Sequence, residues 1–156
     1  MVGEMNVDIG GPLGTPHTAR VMHRVLIVGL LLIAVVFLVI TIGLHDAPLM
    51  AAGDATSRIG YLFAASGLVP IVLAMFIFKP RVPTRSAGQD DAAFWRVALG
   101  PAISVWVMIE GAGIISAVGA LLSGSLASAL VVAIALGCLV MFSPSHFENT
   151  YAAAPA

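Results

Sequence analysis

The amino-acid sequence predicts an all-α fold: an integral membrane four-helix bundle built of two helical hairpins, with both termini in the cytoplasm. Three observations predict it. The 156 residues are 60% hydrophobic and only 10% charged, with a mean hydropathy of +1.05, whereas soluble domains carry about 25% charged residues. The apolar residues fall into four runs, 21–44, 59–78, 94–122 and 126–142. A helix rising 1.5 Å per residue needs about 20 residues, and at least about 17, to cross the hydrocarbon; the fourth run suffices when Ser125 or Ser143 is included. Finally, six of the seven Lys/Arg residues fall on one side of an alternating chain: Arg20 and Arg24 before the first run, and Lys79, Arg81, Arg85 and Arg96 between the second and third. Only Arg58 lies in the opposite loop. Short cytoplasmic loops carry the excess of positive charge, so this side is cytoplasmic.

Residues 1–19 hold four glycines and two prolines with no apolar period, and are expected to form a flexible cytoplasmic tail. Residues 20–156 then form a single transmembrane domain. The first run is too long for a signal-peptide core, usually about 7–15 residues. Its Leu, Ile and Val all round suit lipid. The following loop carries His45, Asp46, Asp54 and Arg58. In the second run, Gly67 and Pro70 predict a kink near Leu68–Val69, because proline removes a backbone donor and crowds the preceding turn. Lys79-Pro80-Arg81-Val82-Pro83-Thr84-Arg85 ends that run and sets three cations at the headgroups, as a topology anchor or an anionic-lipid site. A short polar linker, Ser86 to Asp91, leads to the third run, whose Gly100-Pro101 falls in the first turns where proline is tolerated. Phe78-Lys79-Pro80 and Phe142-Ser143-Pro144 close the two halves with aromatic and proline in register, a faint sign of duplication.

Glu110 is the only ionisable residue in the middle of a long apolar run. A carboxyl group at that depth costs about 3 kcal/mol on insertion scales. A proton, a hydrogen-bonding partner, a cation or water must offset the cost. On a helix Glu110 shares a face with Trp106, Gly113 and Ala117, and the neighbouring stripe is Ala112, Ser116 and Ala120. Small residues four apart let another backbone approach closely. Trp106, Gly113, Ser116, Ala117 and Ala120 are therefore the expected helix-packing face, with Glu110 directed at a protein interface. Glu110 admits two roles. It is a structural acid, hydrogen-bonded to a serine, to Tyr61 or to a carbonyl freed by Pro70, or it carries H+ or Na+ across the membrane. Trp95 is expected in the interfacial aromatic belt, and Trp106 deeper, beside Glu110.

Other chemistries lack their residues. A haem held by two histidines needs both inside the bundle, but His23 and His146 lie at one edge of the spans, His45 at the other and His17 in the tail. No metal site and no cofactor are expected. There is no phosphate-binding glycine loop and no nucleophile–base pair, so no catalytic residue is assigned. The lone Cys138 reads as a small apolar filler. A net charge of −1 points to no nucleic acid.

The stretch Ile109-Glu110-Gly111-Ala112-Gly113-Ile114-Ile115-Ser116-Ala117-Val118-Gly119 resembles the Glu-bearing helix of the proteolipid family, the c/K subunits of rotary ATPases, in which the carboxylate carries the transported ion. Glu110 is the one position carried over. In that family the carboxylate lies on the second helix of a hairpin, whereas Glu110 lies on the first helix of the second hairpin. The last half of the chain also resembles four-helix bacterial membrane proteins with a similar third helix and a polar, His-containing end after the fourth. These resemblances imply a multi-pass protein of the bacterial inner membrane. The expected function is non-enzymatic: intramembrane helix packing, as a small subunit of a membrane complex or a self-associating proteolipid. Its partners would be the lipid bilayer and other membrane subunits or copies of itself. The alternative is proton or cation translocation through Glu110.

Overall fold

Thr15-Pro16 is a helix-start signal, and the chain uses it. The Thr15 hydroxyl accepts the Thr18 N–H at 3.2 Å and Pro16 occupies the first helical position, where its missing donor costs nothing. In this computed structural model, which describes residues 14–40 and 53–150, α1 therefore runs Pro16–Val39. Residues 16–19, expected in the tail, are helical, and Ala19 is fully buried. Residues 1–13 of the expected tail, and His45 and Asp46 of the following loop, lie outside the described residues.

α2 spans Asp54–Leu73 and continues through a π-helical turn, Ala74–Phe78, into a 3-10 turn, Lys79–Arg81. It stays α-helical through Leu68, Val69 and Pro70; its irregular turn begins only at Ala74. α3, Asp91–Ser123, is capped by Asp90, whose carboxylate accepts the N–H groups of Ala92 at 3.1 Å and Ala93 at 3.3 Å. It stops at Gly124, whose φ of 64° is the left-handed conformation that closes a helix. With 33 residues it is about 50 Å long. α4, Leu126–Met141, has 16 residues and reaches only about half as far. Pro144, expected to stop the chain's last helix, instead opens a short α5, Pro144–Glu148.

The described elements are all helical. α1, α3 and the extended α2 are long and apolar enough to cross a membrane, and α4 is a shorter apolar helix. α3 is the axis, packed against α1, α2 and α4. The two-hairpin arrangement needs a correction. α1 makes no substantial contact with α2, its neighbour in sequence, and α3 touches both. The reason lies in α2. Its buried residues Thr56, Gly60, Ala64, Gly67, Ile71 and Ala74 recur every three or four positions, so the helix has one narrow face of mostly small residues. That face meets α3, whose own small residues allow a close approach. α1 has bulky side chains on every side and cannot compete for it.

Candidate functional site

Glu110 lies on the side of α3 that faces α1, partly buried. Its Oε1 sits beside Gly29, so close that a Cβ on Gly29 would stand 3.3 Å from it. Gly29 is the sole glycine of α1, and it leaves room for the carboxyl group where every other helix residue would press on it. Among the described residues the Glu110 side chain has no hydrogen bond and no ion pair. Tyr61, weighed as its partner, is 66% exposed on α2. The carboxyl group thus sits at a helix–helix seam with its polar atoms unengaged.

The small residues of α3 turn out to serve different neighbours. Gly113 is covered by side chains, with Leu30 methyl carbons 2.6 and 2.7 Å and the Ala135 Cβ 3.2 Å from where its own Cβ would stand. Ala112 and Ser116 meet α2 at Gly67, where an added Cβ would collide with the Ser116 Oγ and lie 2.9 Å from the Ala112 carbonyl oxygen. Here backbone meets backbone, and the glycine that permits it is on α2. Ser116 is fully buried, and its hydroxyl has no partner among the described residues. Gly119 sits under Phe63, and the Ser128 Oγ is 2.9 Å from its Cβ position. Ser128 in turn donates to the Gly60 carbonyl at 2.8 Å, tying α4 to α2. Ala117 and Ala120 border an apolar groove of about 480 Å³ between α1, α3 and α4, with Ala34, Phe37, Ala133 and Leu136 also on its walls. The Gly60, Ala64, Gly67 stripe is legible in the sequence as small residues at helical spacing.

Sequence reasoning missed a second cluster. α4 is so short that it ends beside Trp106, roughly half-way along α3. The last carbonyls of a helix have no partners of their own, and in apolar surroundings each needs a donor. His23 of α1 and Trp106 of α3 supply two. His23 Nε2 is 2.8 Å from the Leu139 oxygen, and because a carbonyl only accepts, this nitrogen carries the proton. Trp106 Nε1 donates to the Phe142 oxygen at 2.6 Å. The two rings meet edge-on with centroids 5.1 Å apart, and Phe147 and Trp95 stand 6.2 and 6.3 Å from Trp106. Trp95, expected in an aromatic belt facing lipid, is fully buried. The fold-back of α5 accounts for it: Glu148 accepts the Trp95 indole N–H at 3.0 Å and pairs with Arg20 at 3.2 Å. Trp106 is fully buried too, and its polar atom is directed to the end of α4 rather than to Glu110. His23 and His146 are separated by the Trp106 and Phe147 rings. Among the described residues no three His, Cys, Asp or Glu come together as a metal site would need.

Arg20, Lys79 and Arg85 all engage this end of the molecule, through Glu148, Phe142 and Asp91 respectively. Arg96 belongs to the first turns of α3 at the same end, while Arg58 belongs to the first turns of α2, beside the Ser123–Ser125 turn that Gly60 contacts. The charge asymmetry read along the chain is thus an asymmetry in space. No protein-family model matches the chain, and comparison with curated proteins and with solved structures finds no match.

Proposed function

We propose that the chain is a multi-pass protein of the bacterial inner membrane, its cationic end cytoplasmic, that acts without enzymatic chemistry through intramembrane helix packing. It serves as a small subunit of a membrane complex or associates with copies of itself. The observation that carries this reading is the state of α1. It is fixed by Ala19, His23 and Leu30, while Val25, Val28, Leu31, Leu32, Val35 and Val36 all stand exposed around it. Such a surface is stable in lipid or against another apolar helix and would aggregate in water. The apolar groove along α1, α3 and α4, with five alanines among its lining residues, offers another helix a surface to pack on. Mass and stoichiometry of the full chain purified in mild detergent test this. A defined oligomer or hetero-complex is expected. A chain that stays in solution without detergent, or that is monomeric in detergent and membranes alike, overturns it.

A second reading is supported by Glu110 itself. An acid at a helix seam with no hydrogen-bonding partner among the described residues has what an ion carrier needs, a site free to take up and release H+ or Na+. Under that reading Glu110→Gln abolishes proton or Na+ flux in vesicles containing the chain, since an amide cannot exchange a proton. Carbodiimide should label Glu110 selectively, and Na+ should protect it if the ion is Na+. Unchanged flux, growth and assembly in Glu110→Gln would leave only the packing role.

A further inference from the structure

Lys79, Arg81 and Arg85 look equivalent along the chain, but the structure separates them. Arg85 is satisfied: its guanidinium donates to the Gln89 carbonyl at 2.7 and 3.1 Å and pairs with Asp91. Arg81 is exposed and lies over the Phe78 ring at 5.4 Å. Lys79 is partly buried, with its ammonium 4.9 Å from the centroid of the Phe142 ring. It borders a groove of about 480 Å³ between the end of α2 and α5, together with Val82, Thr84, His146, Phe147 and Thr150. No carboxylate lines that groove, and Glu148, next along α5, is engaged by Arg20 and Trp95. Among the described residues Lys79 has no counter-ion, and neither the His146 ring nitrogens nor the Thr84 hydroxyl has a hydrogen-bonding partner. His146 is held edge-on between Phe142 and Phe147, each 5.6 Å away, so its donor is fixed in place.

We infer that this groove binds the phosphate of an anionic phospholipid headgroup, with Lys79 as the cation and His146 and Thr84 as hydrogen-bond donors. An ammonium beside two unengaged donors and no acid suits an oxyanion. The apolar floor of Val82 and Phe147 suits the glycerol and upper acyl carbons of a lipid better than a free ion. The location agrees, at the end where the chain's cations gather and where a cytoplasmic leaflet presents negative headgroups. The assignment rests on the membrane reading above.

The test is native mass spectrometry of the full chain in mild detergent, titrated separately with phosphatidylglycerol and phosphatidylcholine. Wild type should bind phosphatidylglycerol about fivefold more tightly, the worth of one well-placed cation near a lipid surface. Lys79→Gln should abolish that preference, and His146→Phe, which keeps a ring but removes the donor, should reduce it, while Arg81→Gln and Arg58→Gln should keep it. Thr84→Val, a change at an exposed hydroxyl, gives the same readout if Lys79→Gln does not fold. Equal binding of the two lipids by wild type, or an undiminished preference in the Lys79, His146 and Thr84 variants, overturns the site. Displacement of phosphatidylglycerol by millimolar inorganic phosphate would make free phosphate the ligand and overturn the lipid assignment. A chain soluble without detergent would instead remove the membrane reading, a failure distinguishable from loss of preference in detergent.

Discussion

The indole N–H of Trp106, half-way along α3, donates to the carbonyl of Phe142, the residue just past the end of α4, at 2.6 Å. With His23 on the Leu139 oxygen, it lets α4 end part-way along its neighbour without leaving buried carbonyls bare. Trp106→Phe keeps most of the ring packing and removes the donor, so it should cost about 1 kcal/mol or somewhat more in unfolding by denaturant in detergent. His23→Phe should cost a similar amount, and Val107→Ala, at an exposed position, close to nothing. If Trp106→Phe matched Val107→Ala, the end of α4 would need no side-chain donor.

Gly67 decides the α2–α3 contact. Gly67→Ala places a methyl group against the Ser116 Oγ and the Ala112 carbonyl oxygen, and a backbone oxygen cannot swing aside. A destabilisation of about 1–3 kcal/mol is expected. Adding Ser116→Ala should restore only part of it, because the Ala112 oxygen remains. Gly113→Leu should be at least as damaging, since Leu30 already fills that space, whereas Val35→Leu on the exposed face of α1 should be tolerated. Gly111→Ala and Gly137→Ala, with open space at both positions, serve as neutral or mildly stabilising controls. Thermal unfolding of the set gives the ranking, and equal tolerance across it would place the tight interface elsewhere.

Two buried serines should behave oppositely. Ser128 donates to the Gly60 carbonyl at 2.8 Å, so Ser128→Ala removes the bond that ties α4 to α2 and should lose about 1 kcal/mol. The Ser116 hydroxyl has no partner among the described residues, so Ser116→Ala removes a buried polar group that nothing satisfies and should be neutral or stabilising. A loss at Ser116 as large as that at Ser128 would show that its hydroxyl is engaged after all.

Glu148 holds two groups, Trp95 and Arg20, but Arg20 is half exposed and its ion pair is screened by water. Glu148→Gln keeps an acceptor for the indole and should change stability by well under 1 kcal/mol. Glu148→Ala leaves the Trp95 N–H unpaired inside the molecule and should cost about 1–3 kcal/mol. Were the two variants equally costly, the charge and not the indole bond would be what fastens α5.

If both termini are cytoplasmic, single cysteines at Asp54 and Gly88 should label from opposite sides of the membrane, Asp54 from outside. Labelling of both from the same side would rule out the alternating topology.

What the sequence determined by itself is whatever depends on composition and local pattern. The all-helical class and the apolar lengths follow from runs of Leu, Ile, Val and Ala. The gathering of cations at one end follows from their spacing, and the ends of α3 were written locally in Asp90 and Gly124, though Asp91 was read as linker. Glu110 was conspicuous for the same reason, as one carboxyl in an apolar run. The start of α1 at Thr15-Pro16 was also written locally, though it was read as tail. Which helix touches which was not local information. Apolar side chains attract one another without direction, so only the fit of whole surfaces could show that α2's narrow face of Gly60, Ala64 and Gly67 meets α3 and leaves α1 apart from α2. The tertiary structure alone placed Gly29 against Glu110. It also directed His23 and Trp106 to the end of α4, because that demand arises only when a helix of about 24 Å lies beside one of about 50 Å. The fold-back of α5 that buries Trp95 was decided in the same way, by a partner 53 residues away in sequence.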